Sequence, residues 1–287
     1  MIVPGQIKLN IIFNFKYLFT NTFFCVYNFH KYMYMAIKKT TRKSNKTVKK
    51  QPITQTDLNF EIPKDGWDLD FKIKQEYDLT PRQQEFLNAT LQQTNKMCIV
   101  DGPAGTAKTY LAVLAALKLL NARSVDNIIY IRSIVESASR SMGALPGELE
   151  DKFAPWSMPL IDKLEEVLVG NTGNNLLSKG YIKCIPVNFT RGLTFKNACV
   201  IIDEAQNMTN SELTTILTRF GVDSKYIVVG DTFQADIGEK SGFKGIYKAF
   251  DDPVCTDEGI NTFKFDGDDI VRSEILKFIV ERLSTVK

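Results

Sequence analysis

The residues best placed to do chemistry stand in three short stretches. The first is Gly102-Pro103-Ala104-Gly105-Thr106-Ala107-Lys108-Thr109. Glycines at 102 and 105 let a backbone wrap so that N–H groups from about Ala104 to Thr109 point inward, which is a cradle for phosphate oxygens assisted by the dipole of the following helix. Lys108 would bridge the β and γ phosphates of a nucleotide, and Thr109 would offer its hydroxyl to Mg²⁺. The stretch fits the G-x-x-x-x-G-K-[ST] pattern except at Ala107, which takes the final glycine position. Alanine is acceptable there if the residue already has helical dihedrals, although its methyl crowds a phosphate. A plain glycine turn before a helix is the competing account, and the Lys-Thr pair after a strand argues against it.

The second stretch is the acid pair Asp203-Glu204, which ends the apolar run ACVII. In a parallel sheet the C-terminal end of a strand faces the ligand crevice, so both carboxylates would emerge beside the phosphates. Asp203 would hold Mg²⁺ directly or through water, and Glu204 would polarise an attacking water. An acid at a strand end can also be a helix N-cap. The third stretch, KYIVVGDTFQADI, ends in Gly230-Asp231 with Gln234 beyond it. A glutamine there can hydrogen-bond the γ-phosphate or the lytic water. A Gly-Asp turn explains the dipeptide without a ligand but leaves Gln234 unexplained.

These stretches need elements to carry them. KMCIVDG, NIIYIRS, ACVIIDEAQ and KYIVVGD read as strands, and TYLAVLAALKLLNA and SELTTILTRFG as amphipathic helices between them. Short β-branched runs ending at Gly or Asp, each followed by a helical stretch, indicate βαβ units and a mostly parallel sheet flanked by helices. Residues 66–287 make one such domain. Residues 1–65 read as a basic, disordered extension, because residues 1–50 hold ten Lys or Arg and no acid, against 26 basic and 33 acidic residues in the remainder. A basic arm on an acidic globule suits a polyanion such as nucleic acid, and a solubilising tail equally well. Residues 1–34 are rich in Phe, Tyr, Asn and Ile, the amino acids of A/T-rich codons, and the expected native start is Met35. Lys16 and four asparagines interrupt their apolar run, which argues against a membrane anchor or a signal peptide.

The remaining composition excludes whole classes of chemistry. The single histidine, His30, lies outside the domain, which removes a Ser-His-Asp triad and a His-rich metal site. The cysteines at 25, 98, 184, 199 and 255 form no C-x-x-C pair, so neither a disulfide framework nor a thiolate zinc site is expected, and the cytosol is the expected compartment.

Taken in order, LTPRQQ, GPAGTAKT, LPGELEDKFAPWSMPLID, RGLTF, IIDEAQNMT, LTRFG, GDTFQADI and DDIVRS resemble the PhoH-like ATPases, which are related to the helicase domains of superfamily 1. The resemblance runs from about Leu79 to near the C-terminus. It implies a RecA-like P-loop core using ATP and Mg²⁺, with Gln83 reading the adenine, Asp203 to Gln206 as motif II and Gly230 to Gln234 as motif III. It also makes Ile131 to Asp162 an insertion placed where helicases contact single strands. Arg132, Arg140 and Lys152 could meet phosphates there, and Phe153 or Trp156 could stack on bases or simply anchor the insertion. Some relatives carry an N-terminal nuclease domain. The first 78 residues lack the acidic cluster such a site needs, so no nuclease activity is expected.

A helicase of that superfamily closes ATP between two lobes, with an arginine of the second lobe on the γ-phosphate. About 50 residues follow motif III, too few for another lobe. A ring-like homo-oligomer such as a hexamer is therefore expected. Arg272 ranks first as the γ-phosphate sensor, Arg219 second as a finger from the neighbour, and Arg191 is a further candidate. The leading function is an ATP hydrolase coupled to single-stranded nucleic acid, RNA ahead of DNA, with no membrane partner. A nucleotide-dependent assembly switch is the alternative, and a small-molecule kinase is disfavoured by motif III.

Overall fold

The computed structural model describes residues 70–74, 77–133, 149–271 and 273–284, with the backbone alone over 149–156. The extension at 1–65, Arg140 and Arg272 lie outside the described residues, as do the side chains of Lys152, Phe153 and Trp156.

The strands are β1 (Met97–Asp101), β2 (Asn127–Arg132), β3 (Ile182–Pro186), β4 (Ala198–Asp203), β5 (Lys225–Gly230) and β6 (Ile260–Lys264). They form one six-stranded sheet in the order β3-β2-β4-β5-β1-β6, parallel throughout. MCIVD and ACVIID are buried at every position. That is why they read as continuous apolar runs: helices cover both faces, so no alternate position meets water.

The helices are α1 (Pro81–Leu91), α2 (Lys108–Asn121), α3 (Leu149–Val167), α4 (Thr172–Ser178), α5 (Asn210–Leu217), α6 (Phe243–Phe250), α7 (Pro253–Asp257) and α8 (Glu274–Ser284). Right-handed crossovers from β1 to β2 and from β2 to β3 put α2 and α3 on one face. The crossovers from β4 to β5 and from β5 to β6 run the other way and put α5 and α6 on the opposite face. The packing agrees: α2 lies against α1 and α3, and α5 lies against α6. Tyr110 to Leu117, Leu119 and Leu120 of α2 are all buried, which makes this helix the centre of the core. Thr80 starts α1 with a capping box closed by Gln83, and Pro81 follows at the first turn, where its missing N–H costs nothing.

The order of the strands decides where a ligand can sit. The chain leaves the adjacent strands β1 and β5 toward opposite faces, so a crevice opens between their C-terminal ends. Register then aligns distant residues there: Asp101 beside Gly230 and Lys264, and Arg132 beside Asp203. The sequence shows these strand ends individually; it does not show that β5 is inserted between β1 and β4. No helix among the described residues is long and apolar enough to cross a membrane.

Candidate nucleotide site

A cleft of about 210 Å³ opens over the ends of β1, β4 and β5. Its walls include Ala104, Gly105, Ala107, Lys108 and Thr109 from the loop between β1 and α2, together with Asp203, Glu204, Gln206, Asp231 and Gln234. The three stretches singled out by their chemistry thus meet in one place.

Two contacts shape the loop. Gly102 passes so close to the end of β6 that an added Cβ would stand 2.8 Å from Phe265 Cβ. Gly105 has φ +88°, and an added Cβ would stand 2.6 Å from the Leu276 side chain of α8. Inside the loop the Lys108 ammonium donates to the carbonyl oxygens of Gly102 (2.6 Å) and Pro103 (2.7 Å). The Thr106 hydroxyl, fully buried, donates to Pro103 O at 2.9 Å. Burial lowers the Lys108 pKa from its ordinary value, and the nearby carboxylates of Asp231, Glu204, Asp203 and Asp101 oppose that shift.

Ala107 departs from the expected geometry. Its dihedrals are φ 56° and ψ 23°, left-handed rather than helical, so the position is one that glycine fills without strain. An L-residue there costs about 1–2 kcal/mol, partly offset because alanine also restricts the unfolded chain. Ala107→Gly should therefore raise stability by about 1 kcal/mol or less, read as a higher urea midpoint with an unchanged slope. A lower midpoint would mean that the alanine methyl contributes packing worth more than the strain.

Motif II is held by a dense set of polar contacts. Thr109 Oγ1 donates to Asp203 Oδ1 at 2.9 Å, and the Tyr130 hydroxyl donates to Asp203 Oδ2 at 2.5 Å. Burial and the adjacent Asp203 carboxylate push the Tyr130 phenol far above its ordinary pKa, so it stays a donor. Glu204 has a left-handed backbone, φ 53° and ψ 40°, at the sharp turn after β4. Its Oε2 accepts from Gln206 Nε2 at 2.6 Å, and its Oε1 lies 3.5 Å from the Arg132 guanidinium. Gln206 is buried and accepts from the Asp231 N–H at 3.0 Å, so one amide joins motif II to the turn after β5. Asp101, also buried, accepts from the Thr232 N–H (2.9 Å) and hydroxyl (3.0 Å), fastening that same turn to β1. Burial first and Asp203 second raise the Glu204 pKa, while Arg132, Gln206 and Lys108 pull it down. A carboxyl so tuned is suited to taking a proton from water.

The donor set fits Mg²⁺. Thr109 Oγ1 and Asp203 Oδ1 are hard oxygen donors that already touch, and magnesium takes one or two protein oxygens, with phosphate and water completing its octahedron. Among the described residues no cluster of three His, Cys, Asp or Glu side chains offers a metal cage of protein ligands alone.

A family model described as PhoH-like protein matches residues 77–284. The chain belongs to the PhoH family. It is 37% identical over 226 residues to a PhoH-like protein of Bacillus subtilis, covering 77% of this chain and 66% of that relative. It is 38% identical over 204 residues to a PhoH-like protein of Synechocystis, covering 70% of this chain and 60% of that one. The chain thus spans just under two thirds of the length of these PhoH relatives. Among solved structures, a large terminase from a thermophilic bacteriophage aligns with TM-score 0.45 and 13% identity, covering 72% of this chain and 50% of that one. The fold assignment rests on the sheet itself. PhoH membership and the loop together place the chain, at family level, among P-loop nucleotide-binding proteins.

Not every residue assigned from the PhoH resemblance faces the cleft. Gln83 is fully buried, with Nε2 donating to the main-chain oxygens of Thr106 (3.2 Å) and Asp269 (2.7 Å) and Oε1 accepting from the Thr80 N–H (3.0 Å). Its amide is turned toward the loop's backbone rather than toward a base. Arg219 folds back on the end of α5, where Nε donates to Thr215 O at 3.2 Å, and it does not line its own chain's cleft. Arg191 is exposed on a turn away from the cleft. Arg132, considered above for nucleic-acid phosphates, is within reach of both motif II carboxylates. Gln206, Tyr130, Tyr77, Lys163 and Glu166 were not singled out as site residues. Only Gln206 carried a signal, its place within motif II.

Proposed function

We propose that the cleft binds Mg-ATP and hydrolyses it, in a cycle coupled to single-stranded nucleic acid, RNA ahead of DNA. The observation that carries this reading is the convergence of Lys108, Thr109, Asp203, Glu204 and Gln234 on one cleft. In it the loop amides and Lys108 take the phosphates, and Thr109 and Asp203 hold the metal, whose charge neutralises that of the phosphates. Glu204 accepts the proton of the water that attacks the γ-phosphorus, and Gln234 orients that water; the products are ADP and phosphate.

Coupling to nucleic acid is supported by the basic, acid-free residues 1–50 and by Arg132, which stands at the start of the insertion and within reach of Glu204. Phosphates that compete for Arg132 would change the surroundings of the catalytic base. Strand separation is the furthest extension of this reading. Arg219 does not line its own chain's cleft, which suits a γ-phosphate arginine donated by a neighbouring copy in a ring.

The test is the ATP turnover rate with and without single-stranded RNA, single-stranded DNA and duplexes, measured alongside oligomeric mass by light scattering. The expected result is a stimulation of roughly tenfold by single-stranded RNA, the size that a coupling free energy of 1–3 kcal/mol gives. Slow turnover indifferent to every polymer, with mass that changes on ATP addition, would instead identify an assembly switch. A fully active monomer would remove the shared site.

A further inference from the structure

Gln234 lines the cleft from an exposed stretch of chain, so its aim depends on the backbone of the turn that carries it. That turn follows β5 and is fastened on both sides of Gln234. On the near side, Asp101 accepts from the Thr232 N–H and hydroxyl, and Gln206 accepts from the Asp231 N–H. On the far side the fastening falls to one side chain. Asn207 Nδ2 donates to Asp236 Oδ2 at 3.0 Å, and Asn207 Oδ1 accepts from the Asp236 N–H at 2.8 Å.

Asn207 is itself firmly held. It is only 8% exposed, its N–H donates to Glu204 O at 2.9 Å, and its carbonyl oxygen accepts from the Ser133 hydroxyl, just beyond β2, at 2.7 Å. A side-chain amide has a donor end and an acceptor end, and Asp236 meets both, so the pair fixes orientation as well as distance. The course of the chain does not depend on this clasp alone. Further on, the Gly242 N–H donates to Met208 O at 2.9 Å and Ser241 bridges to Thr209. What the clasp sets is the stretch between Thr232 and Asp236, and Gln234 is its middle residue.

We propose that Asn207 is a positioning residue for hydrolysis, which acts through Asp236 to hold Gln234 against the γ-phosphate and the attacking water. The inference rests on the Mg-ATP reading above and deepens it. Glu204 to Asn207 then work as a unit: Glu204 takes the proton, while Gln206 and Asn207 hold the two ends of the turn that bears Gln234.

The test is ATP turnover by the full chain, with kcat and KM separated and urea midpoints recorded. Asp236→Ala alters an exposed residue and should keep a midpoint near that of the wild type. Its kcat should fall roughly tenfold, because a 1 Å misplacement can cost about 10²-fold and the N–H half of the clasp remains. Its KM should stay within roughly twofold of the wild type, since the interaction lost is one made in the transition state. Asp236→Asn keeps an acceptor for Asn207 Nδ2 and should keep the wild-type kcat. Asn207→Asp sets two carboxylates face to face and should slow turnover as Asp236→Ala does. The double variant Asn207→Asp/Asp236→Asn restores a donor and an acceptor and should recover it. In Gln234→Ala, itself slower than the wild type, adding Asp236→Ala should cause no further loss, because a residue acting through Gln234 is silent once Gln234 is gone. An undiminished kcat in Asp236→Ala, a loss that the swap does not restore, or a full additional loss in the Gln234→Ala background would overturn the inference and leave the Mg-ATP reading standing. Wild-type turnover by Gln234→Ala would strike the Gln234 step of that reading, and the inference with it.

Discussion

Glu204→Gln should bind ATP with near wild-type affinity and hydrolyse it roughly 10²–10⁴-fold more slowly, the range for losing a general base. The two effects separate because Glu204 makes no hydrogen bond to the phosphate loop; its partners are Gln206 at one oxygen and Arg132 at the other. A glutamine can keep the Gln206 contact by turning its carbonyl oxygen toward Nε2. Its amide then faces the Arg132 guanidinium, so the ion pair is lost while the fold is kept. Filter binding of radiolabelled ATP, read with single-turnover hydrolysis, gives both quantities. The wild-type rate should also fall as the pH is lowered, since only the ionised form of Glu204 accepts a proton. The residual rate of the glutamine variant should lack that acid limb. Hydrolysis retained at the wild-type rate would move the base elsewhere, with Asp203 already committed to Thr109 and Tyr130.

Much of this site was legible in the sequence because its chemistry is local. A strand, a glycine-bearing loop and a helix lie within Met97 to Asn121, and the residue types in them follow from the phosphate they would hold. The same holds for Asp203-Glu204 at the end of an apolar run. Pairing order is not local. The insertion of β5 between β1 and β4 is set by packing among strands far apart in the chain, and no dipeptide signals it. Gln83 shows the same limit at a single residue. Its place in LTPRQ made it the base reader that the PhoH resemblance implies, and its partner at Asp269 lies 186 residues away. The left-handed turn at Ala107 was hidden for a different reason: the residue that usually announces positive φ is glycine, and here an alanine bears the strain. Tyr77, Lys163 and Glu166 look like ordinary surface residues until α3 brings them beside Tyr110.

Lys108→Met should lose at least roughly 10²-fold in ATP affinity, because one ammonium supplies charge-assisted bonds to two phosphates, each worth about 1.5–3 kcal/mol. The same substitution should leave the stability of the nucleotide-free protein within about 1 kcal/mol of the wild type. Two opposing terms give that balance. Removing the ammonium takes its hydrogen bonds away from the Gly102 and Pro103 carbonyls, which costs about 1 kcal/mol each when they stay dry. It also removes a charge that burial disfavours, since the folded-state pKa of Lys108 lies below its ordinary value. For a lysine so shifted, the unfolded chain binds the proton more readily, so wild-type stability rises with pH through the window from the lowered folded value to the ordinary one. Lys108→Met should flatten that rise. Arginine is no substitute, because its planar fork is wider than the ammonium that the loop encloses. Isothermal titration with Mg-ATP and thermal melts across pH check both halves. A variant that loses ATP and melts far below the wild type would show that Lys108 is a strut of the loop, and its loss of binding would then say nothing about phosphate contact.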